Sequence, residues 1–231
     1  MLFTSSAVLF LAAFAVAKPA PSKRAAVAFV DPNTDGGRML TDADGLDGQA
    51  GDLGEPLNVI ISGLSSADVL TDAGFLNYAQ SIGFSFECLG LHLGGPQSAN
   101  LGDGNGFVNQ TVEYRQDYGD EELGTCLESL IGGNHLRVFR QNGTEANTGA
   151  LFLAVSQEEN VAEGHTIVAN GYNLGRNALA ATAIAGTTTA NGVSYTTVAQ
   201  NLTTLLPAGT AGVNHDIATD GITTLLTVTI V

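Results

Sequence analysis

Polar and apolar residues alternate most cleanly from His135 to Gln141, where His135, Arg137, Phe139 and Gln141 interleave with Leu136, Val138 and Arg140. A period of two makes these the two faces of a β-strand, with His135 and Arg137 on one and Arg140 on the other. In the next run Leu151, Leu153 and Val155 interleave with Ala150, Phe152 and Ala154, so both faces are apolar and the strand belongs in the middle of a sheet. Asn142-Gly143 stands between the two runs as the turn of a hairpin.

Elsewhere the pattern is mixed. Leu57 to Ser62 reads as a buried strand, followed by a capping box, Ser65-x-x-Asp68, and a helix carrying Val69, Leu70, Ala73, Phe75 and Leu76, which Gly74 is able to split. Phe84 to Cys88 leads into a long Gly-rich loop, 89–107. Val108 to Tyr118 alternates as a strand, while Cys126 to Ile131 is short and ambiguous. Asn173 is placed to cap an Ala-rich helix running to about Ala185, and 195–206 and 222–231 close the chain as β-rich segments. The expectation is a single α+β domain over 57–231, a mixed, largely antiparallel sheet with two or three helices packed on it.

The beginning of the chain has a different composition. Residues 1–17 carry a short apolar core ending in Ala15-Val16-Ala17, a signal-peptide pattern, and 18–24 end in the dibasic pair Lys23-Arg24, as in the propeptides of fungal secreted proteins. Secretion with a mature start near Ala25 is expected, and no transmembrane segment is expected in the mature chain. Residues 1–24 hold three bases and no acid, so removing them takes the formal charge from −15 to −18. The remaining chain has no lysine, which excludes Schiff-base and Ser-Lys chemistry, and its acidity excludes general nucleic-acid binding. From 25 to 56 the chain reads as a solvated acidic leader. Its Asp42-Ala-Asp44-Gly-Leu-Asp47 run fails the EF-hand register at Leu46 and Leu53.

Two cysteines in a secreted chain predict a Cys88–Cys126 disulfide. Asn109, Asn142 and Asn201 head glycosylation sequons. The Gly102, Gly104, Gly106 alternation lacks the Lys-Ser/Thr of a phosphate loop and reads as a plain loop. The last residues, Leu225 to Val231, are too short and polar for a glycolipid-anchor signal.

Most of the unusual chemistry falls between Gly132 and Arg176, which brings together His135, Arg137, Arg140, Glu158, Glu159, His165 and Arg176. His135, Arg137, His165 and Arg176 are the candidate binding residues. Imidazoles and a carboxylate suit a divalent metal, with His135 and His165 as candidate ligands and His215 and Glu158 as possible additions, although no short ligand spacing supports this and no cofactor is expected. G-x-S-x-G and H-E-x-x-H are both missing from the sequence, so a hydrolase rests on spatial meetings such as Ser156 with His135 or Glu158 with Asp216. The arginines suit bidentate binding of a carboxylate, sulfate or phosphorylated ligand. Internal pairing with Glu145, Glu158 or Glu159 is weighed higher, since acids outnumber arginines.

The order His135-Leu-Arg137-Val-Phe139, Ala150 to Ser156, His165-x-Ile167, Gly175-Arg176 and Thr219-Asp-Gly221 resembles the LssY C-terminal-like domain over about 57–231. The resemblance implies an α+β domain, found in bacterial membrane proteins and in secreted fungal proteins, and carries no assigned activity. Phe139 stands where that family often has Trp. Asn170, Asn173 and Asn177 replace acids near the second histidine, which weakens a metal or acid–base role. The expected function is therefore an extracellular ligand-binding or interaction protein, with a hydrolase using the His135/His165 region, with or without a metal, as the alternative.

Overall fold

The computed structural model describes residues 24–43, 53–91 and 95–231. The signal and propeptide residues 1–23, and Asp44 and Asp47 of the acidic run, lie outside the described residues.

The α+β expectation holds. Within the described residues an eight-stranded sheet runs in the order β2 (Phe84–Phe86), β5 (Val112–Gln116), β6 (Gly133–Asn142), β7 (Asn147–Glu158), β1 (Val59–Ile61), β10 (Thr223–Ile230), β9 (Val193–Leu202), β8 (Thr188–Ala190). Among the described strand pairs of this sheet only β1 with β10 is parallel; the others are antiparallel. β3 (Ser98–Asn100) and β4 (Phe107–Asn109) form a small separate hairpin. β7, apolar on both faces, does sit inside the sheet, between β6 and β1.

The period of two separates the faces. Val59, Ile61, Leu136, Val138, Leu153, Val155, Leu226 and Val228 line one face, covered by Phe75 and Tyr78 of α1 (Asp72–Ser81) and by Leu179 and Ala183 of α3 (Gly171–Ala183). The sheet curls round α1, so both edge strands reach it: Asn77 donates to the Ala190 carbonyl (3.1 Å) on β8, and α1 also packs on β2. α3 comes so close to β6 and β7 that a Cβ on Gly175 would lie 2.6 Å from Asn134 Oδ1 and 2.7 Å from the Ser156 carbonyl carbon.

The opposite face corrects the solvated leader. Met39, Thr41, Asp42 and Glu55 are buried, and Phe29 stands edge-on to Phe152 at 6.2 Å. Gln141 exchanges both of its amide bonds with the Val30 backbone (2.9 Å each). The apolar residues Phe139, Phe152 and Leu225 on this face need a cover, and the described part of the leader supplies it.

Local boundaries differ for identifiable reasons. The first helix breaks at Thr71 rather than Gly74, because Thr71 Oγ1 accepts from Gly74 N (3.0 Å) and caps α1. Ser65 does not cap; its hydroxyl accepts from Val228 N (3.0 Å). α3 begins after Asn170, and Asn173 is buried inside it, its Oδ1 accepting from Asp220 N (3.1 Å). The 108–118 segment is two strands, β4 and β5. The Gly-rich loop wraps the hairpin turn: Asp103 Oδ2 accepts from the backbone N–H of Asn142 (3.0 Å) and Gly143 (2.8 Å). Cys88 and Cys126 are bonded. Asn109, Asn142 and Asn201 are all exposed. Among the described residues no helix is long and apolar enough to cross a membrane.

Candidate functional site

In β5 the alternation puts Glu113 and Arg115 on one face, and the register places Arg115 opposite His135 and Glu113 opposite Arg137. β7 runs on to Glu158, opposite Gly133. α2 (Gly124–Ile131) crosses this end of the sheet and stops at Gly132, whose φ of 81° turns the chain into β6. The result is a buried cluster of charge at the polar end of the leader-covered face.

Arg115 is at its centre. Nη1 donates to Glu158 Oε2 (2.8 Å) and Glu128 Oε2 (3.0 Å) and lies 3.3 Å from His165 Nε2. Nη2 donates to Glu113 Oε1 (2.8 Å), and Nε lies 3.6 Å from Glu87 Oε1. Glu158 joins the two histidines: its Oε1 is 3.1 Å from His135 Nδ1, and its Oε2 is 3.1 Å from His165 Nε2. The Glu159 carbonyl accepts from His165 Nδ1 (3.0 Å), so the ring presents Nε2 to the cluster. Arg137 pairs with Glu113 and Gln110, and its Nε lies 3.5 Å from Glu55 Oε2.

Five carboxylates thus surround two guanidiniums, and the ionisation equilibria show it. Burial pushes the Glu128 carboxyl above the ordinary range, with Arg115 offsetting part of the effect. Burial acts in the same direction on Glu158, but His135, Arg115 and His165 together outweigh it and hold that carboxyl below its ordinary value. On Arg115 burial is outweighed by Glu128, Glu158 and Glu113, which lock the guanidinium in its charged form.

The sequence candidates therefore divide. His135 and His165 converge on one carboxylate, and Arg137 joins them through Glu113 and Arg115. Arg176 does not belong with them: it is buried against the turn before β10, where Nη1 and Nη2 clasp Asp220 (2.6 and 2.7 Å) and Nη1 also reaches the Ile222 carbonyl (2.8 Å). His215 is exposed on the turn at 214–216. Arg115, Glu113 and Glu128 are the residues that sequence reading missed. The available signal was Glu113-x-Arg115 in an alternating strand, matching His135-x-Arg137 in the next.

Glu128, Glu158 and His165 offer donor atoms within 4.8 Å of one another, a set that suits zinc by ligand type. Arg115 Nη1 already lies 2.8–3.3 Å from all three residues. The guanidinium supplies the positive charge that a metal would bring, so the set does not fit an ion unless Arg115 is displaced. A serine nucleophile fares no better. Ser156 Oγ is 3.3 Å from His135 Nδ1, the nitrogen that also faces Glu158, and both Ser156 and His135 are buried.

Above the cluster lies a cavity of about 380 Å³ lined by Glu87, Cys88, Leu91, Arg115, Ser129, Val161 and His165. Beside it α2 is turned inside out. Leu123, Leu127, Leu130 and Ile131 fall at i, i+4, i+7 and i+8, a stripe that ordinarily faces a core, yet all four are exposed while Thr125 and Glu128 are buried. The Cys88–Cys126 bond and the Glu128–Arg115 pair fix this rotation. Leu89, Leu91 and Val161 extend the exposed apolar surface.

No family model, curated protein or solved structure matches this chain.

Proposed function

We propose that this is a secreted extracellular binding protein whose contact surface is the outward leucine face of α2 together with the adjoining cavity. The observation that carries the reading is the inverted helix: four large apolar side chains held toward solvent by a disulfide and a buried ion pair form a surface that has more use in contact than in water. The charged cluster beneath is the support that sets the rotation of α2. The predicted signal sequence, the disulfide and the exposed sequon asparagines support export. The motif order supports a place among the LssY C-terminal-like domains.

A hydrolase remains the second reading, favoured by one observation, the convergence of Glu128, Glu158 and His165. One set of measurements separates the two. Leu127→Glu with Ile131→Glu is expected to keep the native melting temperature within a few degrees, since exposed substitutions usually cost under ~0.5 kcal/mol. The same variant is expected to lose retention on an octyl matrix and the fluorescence of an extrinsic apolar dye. Retention that survives the double change refutes the binding face. Turnover of chromogenic esters, glycosides or phosphates that His165→Ala abolishes establishes the hydrolase instead, and near-stoichiometric zinc lost with the same change makes that hydrolase metal-dependent.

A further inference from the structure

The other face of the sheet holds a second, unrelated opening. A cavity of about 360 Å³ between α1 and the β2–β5–β6 edge is walled mainly by Phe75, Leu76, Phe86, Val112, Tyr114 and Val138, with Asp72, Thr111 and Arg140 as its polar lining. Its size is at the small end of the ~300–1,000 Å³ typical of ligand pockets, and its walls are apolar and aromatic with few polar groups, the usual composition of such sites. Tyr114 stacks on Phe75 (5.9 Å between ring centroids) and meets Phe86 edge-on (5.4 Å), so the rings brace one another and the opening is preformed.

Arg140 distinguishes this opening from a packing defect. Arg115 and Arg137 are paired with carboxylates that are themselves nearly buried, whereas the side chain of Asp72, 2.6 Å from Arg140 Nη2, is 86% exposed. Arg140 itself is mostly covered and anchored by Nη1 on the Leu70 carbonyl. An ion pair whose acid lies in solvent contributes little and is readily exchanged, while a fixed guanidinium beside apolar walls is a strong receptor for a planar anion. We propose that this cavity binds small hydrophobic monocarboxylates, the alkyl or aryl body resting on Phe75, Phe86 and Tyr114 and the carboxylate replacing Asp72 on Arg140.

Calorimetric titration of the intact secreted protein with octanoate, octan-1-ol and octylamine tests it. Octanoate is expected to bind at one site per chain, and the alcohol and amine about tenfold or more weakly. Arg140→Gln is expected to lose about tenfold in octanoate affinity. Asp72→Asn acts in the opposite direction, tightening octanoate roughly threefold, because it removes the competing carboxylate and leaves Arg140 in place. This second variant keeps the test decisive if Arg140→Gln fails to fold. Leu127→Glu with Ile131→Glu retains octanoate binding, which separates this site from the α2 face. Equal binding of octylamine, unchanged or weaker binding in Asp72→Asn, or no octanoate binding by the native chain overturns the proposal.

Discussion

Glu158 and Glu128 touch the same guanidinium nitrogen and titrate in opposite directions, so their removal has opposite pH signatures. The Glu158 pKa is depressed in the fold; its stabilisation is present above the unfolded carboxylate value and is lost as pH falls through the lower folded one. Glu158→Gln is therefore expected to destabilise the protein by roughly 3 kcal/mol at neutral pH, through the loss of a buried ion-pair partner, with the deficit shrinking as pH falls below the carboxylate range. The Glu128 pKa is raised, so its contribution is fully present below the unfolded value and is lost as pH rises through the folded one. Stability of Glu128→Gln relative to the native chain should accordingly climb with pH across that window. Urea denaturation at a series of pH values reads both; parallel trends for the two variants would contradict the assignment. The sequence showed His135 and Arg137 on one face because alternation fixes side-chain direction. It did not show Arg115 as the hub, because cross-strand register is decided by the whole sheet.

Helix α2 occupies a stretch that stays ambiguous in the sequence, Cys126 to Ile131. Leu123, Leu127, Leu130 and Ile131 give the helical stripe that ordinarily marks a buried face, and only the disulfide and Glu128 reveal that it points outward. Reduction of Cys88–Cys126 should lower stability by about 3–4 kcal/mol through the freed unfolded chain, read as a fall in melting temperature. It should also release the rotation of α2, so retention on an octyl matrix falls along with stability. At α3 the close approach leaves no room for a side chain: Gly175→Ala drives a methyl into Asn134 and the Ser156 backbone. Destabilisation of about 1–3 kcal/mol is expected in thermal or urea unfolding, and a neutral substitution would show that α3 can move away from the sheet.

At the scale of the whole molecule, the strands were the most legible part, because the alternation of 135–155 and the β-rich composition of 222–231 locate β6, β7 and β10. The cover on the second face was not legible, since its acidic, Gly-rich composition resembles an unfolded leader and only the apolar face beneath requires it to pack. One consequence concerns the order of assembly. β10 lies between β1 and β9, with Leu225, Leu226 and Val228 buried, and its parallel pairing with β1 sets Val59 against Thr224. β1 and β9 share no edge until that long-range pairing forms, and contacts between residues so distant in sequence close slowly. The arrival of one strand at the centre therefore paces refolding.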